Sequence, residues 1–597
     1  MATTYDKASL VMIPSGVKED KLYSIKPTDG SGDFTFSRGT DTATRVNASG
    51  LIEKERANLF TYSNDFSNAA WTKVRSSVSS GSADPFGGSN AWSFLADTSA
   101  NQQHYFNATI SESGVGTLSL YAKANGYNWL RLRIPSEEAY FDLANGVTGS
   151  STTGISASMT DAGGGWYRCE VAISDMSSSA SVFFHIAEGD GDIIIGGTPS
   201  GTDGLFIYGA QLNQGLVAQP YIETTTAAVY EGITDNLPRL DYSGGASCPS
   251  LLLEPSRTNL FEHSDYLSAS FWIDDQITRV QNTTDTLSPE GVYNAVKLTE
   301  TATTARHRLA SGVITISNTT YTASVFLKKG TARYGFVHLS GANAYTIVVD
   351  LEDGTITDTA TNSTIAHQSV EDYGNGWYRC SVAGNMASVT TAYIVQFGTA
   401  GSAEPTYNNY VPQFLGSTSN NIYAYGAQLE AGSYPTSIIP TYGTSASRAA
   451  DDFVLNLATD IVQNGGTFMI ELVGDVAGSG SSIPFLQFTH TNASSYVGFG
   501  ATANWRCRIN DNGTSRLVTS PVAHTENVKL CIRYGDFGYQ YYANGSSFST
   551  YTTAINIGDF TSVNFVINEN YGILRIKQLL TFPTALTDSE AIALTTL

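Results

Sequence analysis

Three short stretches of this sequence carry side chains with chemistry to offer. Trp129-Leu-Arg-Leu-Arg133 alternates polar and apolar residues with the period of a β-strand, so Trp129, Arg131 and Arg133 share one face. An exposed indole can stack on the apolar face of a pyranose, and two guanidiniums beside it would suit an acidic glycan. A solvent-facing strand with scattered polar residues has the same pattern. Trp505, in Asn504-Trp-Arg-Cys507, is a second candidate platform. Glu188, Asp190 and Asp192 set three carboxylates in a glycine-containing turn, oxygen ligands of the kind a structural calcium takes. An acidic hairpin without metal is the plainer alternative, because no DxDxDG run with a distant Glu is present.

Catalytic patterns are missing. A glycosidase needs two carboxylates held roughly 5 to 10 Å apart across a cleft, one with a raised pKa, and sequence alone does not reveal such a pair. The eight histidines form neither HExxH nor a Ser/His/Asp arrangement of known type. Cys169, Cys248, Cys380, Cys507 and Cys531 are scattered, with no CxxC, so they read as reduced and mostly buried thiols. We therefore expect no enzyme and no obligatory cofactor.

The elements that would position these residues come from an internal duplication. Arg56-Ala-Asn-Leu-Phe60 recurs as Arg257-Thr-Asn-Leu-Phe261, with Trp71 and Trp272 following at equal spacing. Asp142-Leu-Ala-Asn-Gly146 recurs as Asp350-Leu-Glu-Asp-Gly354, Gly165-Trp-Tyr-Arg-Cys169 as Gly376-Trp-Tyr-Arg-Cys380, and Tyr208-Gly-Ala-Gln-Leu212 as Tyr425-Gly-Ala-Gln-Leu429. The offset grows from 201 residues at Arg56 and Arg257 to 217 at Tyr208 and Tyr425, which means loop insertions between shared strands. Asn-Gly and Asp-Gly predict type I′ hairpin turns. Trp71, Trp166, Trp272 and Trp377 occupy matched places and are expected in cores. Trp129 and Trp505 have no counterpart, which is what singles them out.

Composition supports short strands throughout. The chain has 597 residues, 56 Gly, 33 Tyr and only 14% charged residues, too few surface helix formers to cover solvent-facing helices. A net charge of -22 repels phosphate backbones and anionic lipid, so neither nucleic acid nor a membrane is an expected partner. No stretch is long and apolar enough to span a bilayer, and the N-terminus lacks the basic region of a signal peptide. The prediction is an all-β fold of tandem jelly-roll β-sandwiches with very little helix. The one helix expected follows the capping box Thr587-Asp-Ser-Glu590.

Several of these segments resemble bacteriophage virion proteins of the head or tail fibre type. Ala8-Ser-Leu-Val-Met-Ile-Pro-Ser-Gly16, Asp29-Gly-Ser-Gly-Asp-Phe-Thr-Phe-Ser-Arg38, Ala43-Thr-Arg-Val-Asn47 and Gly50-Leu-Ile-Glu53 carry the resemblance, together with Cys248 to Leu260 and the repeated motifs. It implies an N-terminal virion-attachment segment (1–57), a first jelly roll similar to carbohydrate-binding modules (58–228) and a connecting segment (229–258). A second, related jelly roll (259–450) and a concanavalin A-like or laminin-G-like sandwich (451–597) would follow. It further implies a location on the virion surface after assembly in the host cytoplasm, other capsid or tail proteins as partners, a homotrimer, and glycans of the bacterial surface or of mucus as ligands. A purely structural capsid decoration or fibre-shaft protein without ligand is the alternative, and a polysaccharide-degrading tailspike a further one.

Overall fold

The computed structural model describes residues 2–110, 112–134, 137–152, 156–177, 179–456, 465–474, 485–490, 495–511, 513–554, 560–565 and 572–597. The fold is almost entirely antiparallel β, as its composition predicts, with two short α-helices and one 3-10 turn among the described residues. One is Asp588–Thr595, held by the expected box: Glu590 N–H donates to the Thr587 hydroxyl, and Thr587 N–H to the Glu590 carboxylate. The other, Ala2–Asp6, was not foreseen.

Each repeat forms a sandwich of two six-stranded sheets. The repeated motifs turn out to be structural. In Arg56-Ala-Asn58 and Arg257-Thr-Asn259 the buried Asn side chain donates to Ala210 O and Ile222 O in the first roll, and to Ala427 O and Ile439 O in the second. Gln211 and Gln428 accept from Ile222 N and Ile439 N, tying the last long strand of each roll to the chain that leaves it. Trp71, Trp166, Trp272 and Trp377 are all buried, as expected. The hairpin turns differ from expectation: Gly146 and Gly354 have φ of +68° and +76°, but the residues before them do not. In the first roll the loop spans four residues between Asp142 and Val147, and the Asp142 carboxylate accepts from Ala144 N and Asn145 N.

The third sandwich is a host for the other two. Its core holds Phe468, Phe488, Trp505 and Tyr541, but also Leu10, Met12, Leu22, Phe34 and Phe36 from the N-terminus, and Leu240, Leu251 and Leu253 from the segment between the rolls. Leu10–Met12 pairs with Leu574–Phe582, Phe34–Ser37 with Asp452–Asn456, and Ser250–Leu253 with the other end of the same edge of Leu574–Phe582. The stretches expected to be a separate attachment segment (1–57) and a connector (229–258) thus contribute strands to the sandwich that was expected to begin at 451. Their apolar alternation needed a partner, and the partner lies hundreds of residues away. The jelly rolls are insertions, each rooted by a two-stranded stem: Arg56–Asn58 with Val229–Glu231, and Arg257–Asn259 with Ala446–Arg448.

Around those roots sits a buried ionic network. Arg239 contacts Glu254 and Asp451 at 2.5 Å each, Arg448 contacts Glu254 at 3.0 Å, and Arg38 contacts Asp451 at 3.4 Å. Burial alone would raise the Glu254 carboxyl, yet Arg448, Arg239 and the Ser437 donors hold it well below the usual range. A neighbouring knot, Lys54 against Glu290 at 2.6 Å and Asp265 at 3.3 Å, fastens the chain ahead of the first roll to the second.

Candidate functional site

The first roll's second sheet has the order Val147–Ser151, Glu138–Asp142, Trp129–Arg133, Ser181–Ala187, His104–Thr109 and Thr72–Val74. Leu130 and Leu132 point into the core, so Trp129, Arg131 and Arg133 lie together on the outer face, as their parity predicts. In register, Arg131 sits opposite Tyr140 on one side and His185 on the other, with Tyr105 opposite His185. Arg133 sits opposite Phe183. The result is a row across the sheet, Tyr140, Arg131, His185 and Tyr105, walled by Trp129 on one flank and by Arg133 with Phe183 on the other.

That row is deeply buried and incompletely bonded. Arg131, Tyr140 and His185 are 4%, 2% and 1% exposed. Arg131 Nη1, the Tyr140 hydroxyl and both ring nitrogens of His185 have no hydrogen-bond partner among the described residues. Buried polar groups in folded proteins are nearly always paired, and each failure costs about 1–3 kcal/mol. Burial, then Arg131 and Arg133, push the His185 imidazole well below its ordinary pKa, so it is neutral at pH 7. Burial also raises the Tyr140 phenol; Arg131 opposes this, and Glu138, Asp192 and Asp190 reinforce it. The Arg131 guanidinium lies 5.6 Å from the Tyr140 ring centre, and that of Arg133 5.3 Å from Phe183.

Glu138 alters what the arginines can do. Arg131 Nε donates to its Oε2 at 2.9 Å, Arg131 Nη2 contacts the same oxygen, and Arg133 Nε lies 3.9 Å from it. The pair of cations that suggested an acidic glycan is therefore already neutralised in large part.

Trp129 is half-buried, and its ring reaches towards Gly149 on the edge strand. A Cβ at Gly149 would stand 2.7 Å from Trp129 Cζ3 and 2.4 Å from Asp190 Oδ1, so only glycine leaves room for both. Asp190 Oδ1 accepts from Ser150 N and Oγ at 2.7 and 2.8 Å. The loop after Ala187 is thereby latched to the edge strand near the Tyr140 end of the row, with Ile193 and Ile194 exposed at 51% and 45%.

The calcium expectation fails in this loop. Glu188 accepts from Gly196 N and Asp190 is committed to Ser150. Among the described residues no three His, Cys, Asp or Glu side chains come together to hold a metal ion, Glu188, Asp190 and Asp192 included. Trp505 is likewise not a surface platform: it is wholly buried in the host core and donates to Glu526 O at 3.0 Å. Cys507 and Cys531 lie in opposite sheets of the host sandwich, and both are free.

Tyr140, His185, Phe183 and Glu138 were missed by sequence reasoning. Glu138-Ala-Tyr-Phe-Asp142 alternates and runs into the same turn as the Trp129 strand, so a hairpin register could have put Tyr140 beside Arg131. Nothing local pairs His185 with Arg131, because their strands are about fifty residues apart.

A separate cleft of about 460 Å³ opens where the first roll's root meets the end of the second, lined by Asp41, Glu55, Glu112, Asp175, Tyr230 and Tyr442, among others. Burial, then Asp41 and Asp235, raise Glu55 to about 8. None of the cleft's lining residues has a buried polar side-chain atom left unpaired.

No protein-family model matches the sequence, and no curated protein matches it. The structure has distant similarity to solved β-sandwich proteins. A tandem of CBM22 domains from Paenibacillus barcinonensis Xyn10C has 9% identity and a TM-score of 0.19, covering 63% of this chain and 96% of that one. The Ruminococcus gnavus IT-sialidase CBM40 bound to α2,3-sialyllactose has 14% identity and a TM-score of 0.19, covering 22% and 84%. A mutant of HCR/D has 15% identity and a TM-score of 0.21; the match covers 24% of this chain and 40% of that one.

Proposed function

We propose that this chain is a non-enzymatic appendage protein of a phage particle that uses the outer face of its first jelly roll to bind glycan. The observation that carries the site is the row Tyr140, Arg131 and His185, whose buried polar atoms lack partners beside the aromatic wall of Trp129. An arrangement that costs stability and supplies both stacking and hydrogen bonding fits a ligand better than it fits a scaffold. The phage setting, a homotrimer and capsid or tail partners rest on the sequence resemblance. Attachment to the particle is assigned to the host sandwich, since the N-terminal strands are part of it.

The test uses the full chain and polysaccharide from candidate host cells. Binding should quench or shift tryptophan fluorescence, and Trp129→Ala should abolish binding while leaving the thermal transition in place. Equal binding by Trp129→Ala would remove the site from this face. Gold labelling of intact particles with antibody to residues 451–597 checks the setting; unlabelled particles would sink it.

One observation favours the structural reading for part of the chain. The equivalent face of the second roll is covered by its own loop, so that roll acts as a spacer.

A further inference from the structure

We infer that the first roll's row accepts an uncharged saccharide, bound beneath the loop of residues 188–194. This rests on reading that face as a glycan site and goes further by naming the ligand's charge class and the way in.

The unfilled groups are of mixed type. Arg131 Nη1 only donates, the Tyr140 hydroxyl donates and accepts, and a neutral His185 offers one N–H and one lone pair. A carboxylate or sulfate needs donors alone and would leave the imidazole lone pair facing an anion. Sugar hydroxyls both donate and accept, so they can complete all three residues. The surrounding charge points the same way. Glu138 and Asp142 share the face, Glu188, Asp190 and Asp192 lie in the loop latched beside it, and Arg131 and Arg133 oppose them. An anionic ligand would meet a net negative rim whose two cations are engaged by Glu138.

The same burial that strips the row of water also denies a ligand access while the loop is closed. Among the described residues, the loop tip is pinned to the edge strand by the two hydrogen bonds of the exposed Asp190 to Ser150. An exposed charged hydrogen bond of this kind is weak enough to open readily.

The experiment is a titration of the full chain with two neutral probes, dextran and chitohexaose, and two acidic ones, polygalacturonate and polysialic acid. Each is measured at about 0.05 and 0.5 M NaCl, since only a charge-driven contact is screened. The expected result is neutral-probe binding, insensitive to salt and about tenfold weaker in Tyr140→Phe, the loss of one hydrogen bond. Glu138→Gln, which releases the guanidiniums, should add acidic-probe binding that salt removes. Acidic probes binding alone to the unaltered chain, and weakened by Tyr140→Phe, would overturn the uncharged class while keeping the face as a glycan site. Binding of any probe that Tyr140→Phe and Glu138→Gln both leave unchanged, or no binding of any probe, would overturn the inference and the glycan reading together.

Discussion

The two jelly rolls present the same outer sheet and treat it in opposite ways. In the first roll Trp129 faces Asp142, and in the second Tyr334 faces Asp350, so Arg131 corresponds to Phe336, Tyr140 to Val348 and His185 to Gly398. In the second roll Phe336 and Val348 form a small core with Ala400 and Val411, and Val411 belongs to the loop that follows Ala400. That loop is fastened to the edge strand twice, Thr357 to Ala403 O and Tyr407 to Asp358, and then to Thr346 through Tyr410 O. Its polar groups are satisfied: Arg308 meets Asp275 and Gln396, and His338 Nδ1 meets Thr346. The first roll has the shorter loop, a single latch and an unsatisfied row. A shared scaffold does not confer a shared site; what differs is how firmly the loop after Ala187 or Ala400 is tied down and whether the polar groups beside it are paired.

The strongest way to break this comparison is to give the second roll the first roll's residue. Phe336→Arg would bury an unpaired guanidinium beneath a loop with no acceptor waiting, a cost of about 3–5 kcal/mol. Hydrogen exchange over residues 257–448 should show that roll opening well before the host sandwich. A loss under about 1 kcal/mol would mean that the seal is loose and that the two faces differ less than their contacts say. The reciprocal graft, Arg131→Phe with Glu138→Thr and Tyr140→Val, replaces unsatisfied groups by the second roll's residues. It should stabilise the first roll by about 1–3 kcal/mol and remove glycan binding. If it destabilised the roll, the row would be paired in solution by something other than ligand.

Acid gives a measurement through one deeply buried histidine of each roll, His185 and His338. Burial pushes His338 down to about 3, with Arg308 and Arg306 adding to it, and His185 is lowered by burial and by Arg131 and Arg133. Both folded values lie below the unfolded one, near ~6.5, so the unfolded chain takes the proton first. Stability is fully present above about pH 6.5 and falls by about 1.4 kcal/mol per pH unit per histidine below it. Glu254, held low, adds its own loss only below ~4.3, where the unfolded carboxylate protonates. Between those values His185→Gln should flatten the first roll's acid dependence and leave the second roll's intact; an unchanged slope in the first roll would show that His185 is not the group titrating.

Parity, turns and repeats made much of this legible in the sequence. The alternation of Trp129 to Arg133 put three side chains on one face because strand period is a local property, and the duplicated Asn58 and Asn259 marked matched roots because the same bonds recur. What stayed hidden was long-range. Leu10, Phe34 and Leu251 are host-core residues whose partners lie far along the chain, so nothing near them says which sheet they join. Trp505 looked like a platform because it lacked a counterpart, but it lacks one only because the host sandwich is a different fold from the rolls. Glu138 changed the electrostatics of the face from five residues beyond Arg133, a charge balance that only the hairpin register discloses.

The smallest expected effect concerns the latch, and it separates the rolls most finely. Ser150→Ala removes one of the two bonds Asp190 accepts and leaves the backbone N–H in place. Both partners are exposed, so unfolding stability should move by less than about 0.5 kcal/mol. Saccharide association should nevertheless quicken a few-fold, because the closed loop is the state that excludes ligand, and weakening it raises the population that can bind. Stopped-flow tryptophan fluorescence on the full chain would measure this. In the second roll Thr357→Ala removes the corresponding tie to Ala403, but the Tyr407 and Tyr410 contacts persist and the face beneath is apolar, so no binding should appear. A faster rate in the first roll with silence in the second would locate the functional difference in the loop. Equal rates for Ser150→Ala and the unaltered chain would mean that ligand reaches the row by displacing the Trp129 ring instead.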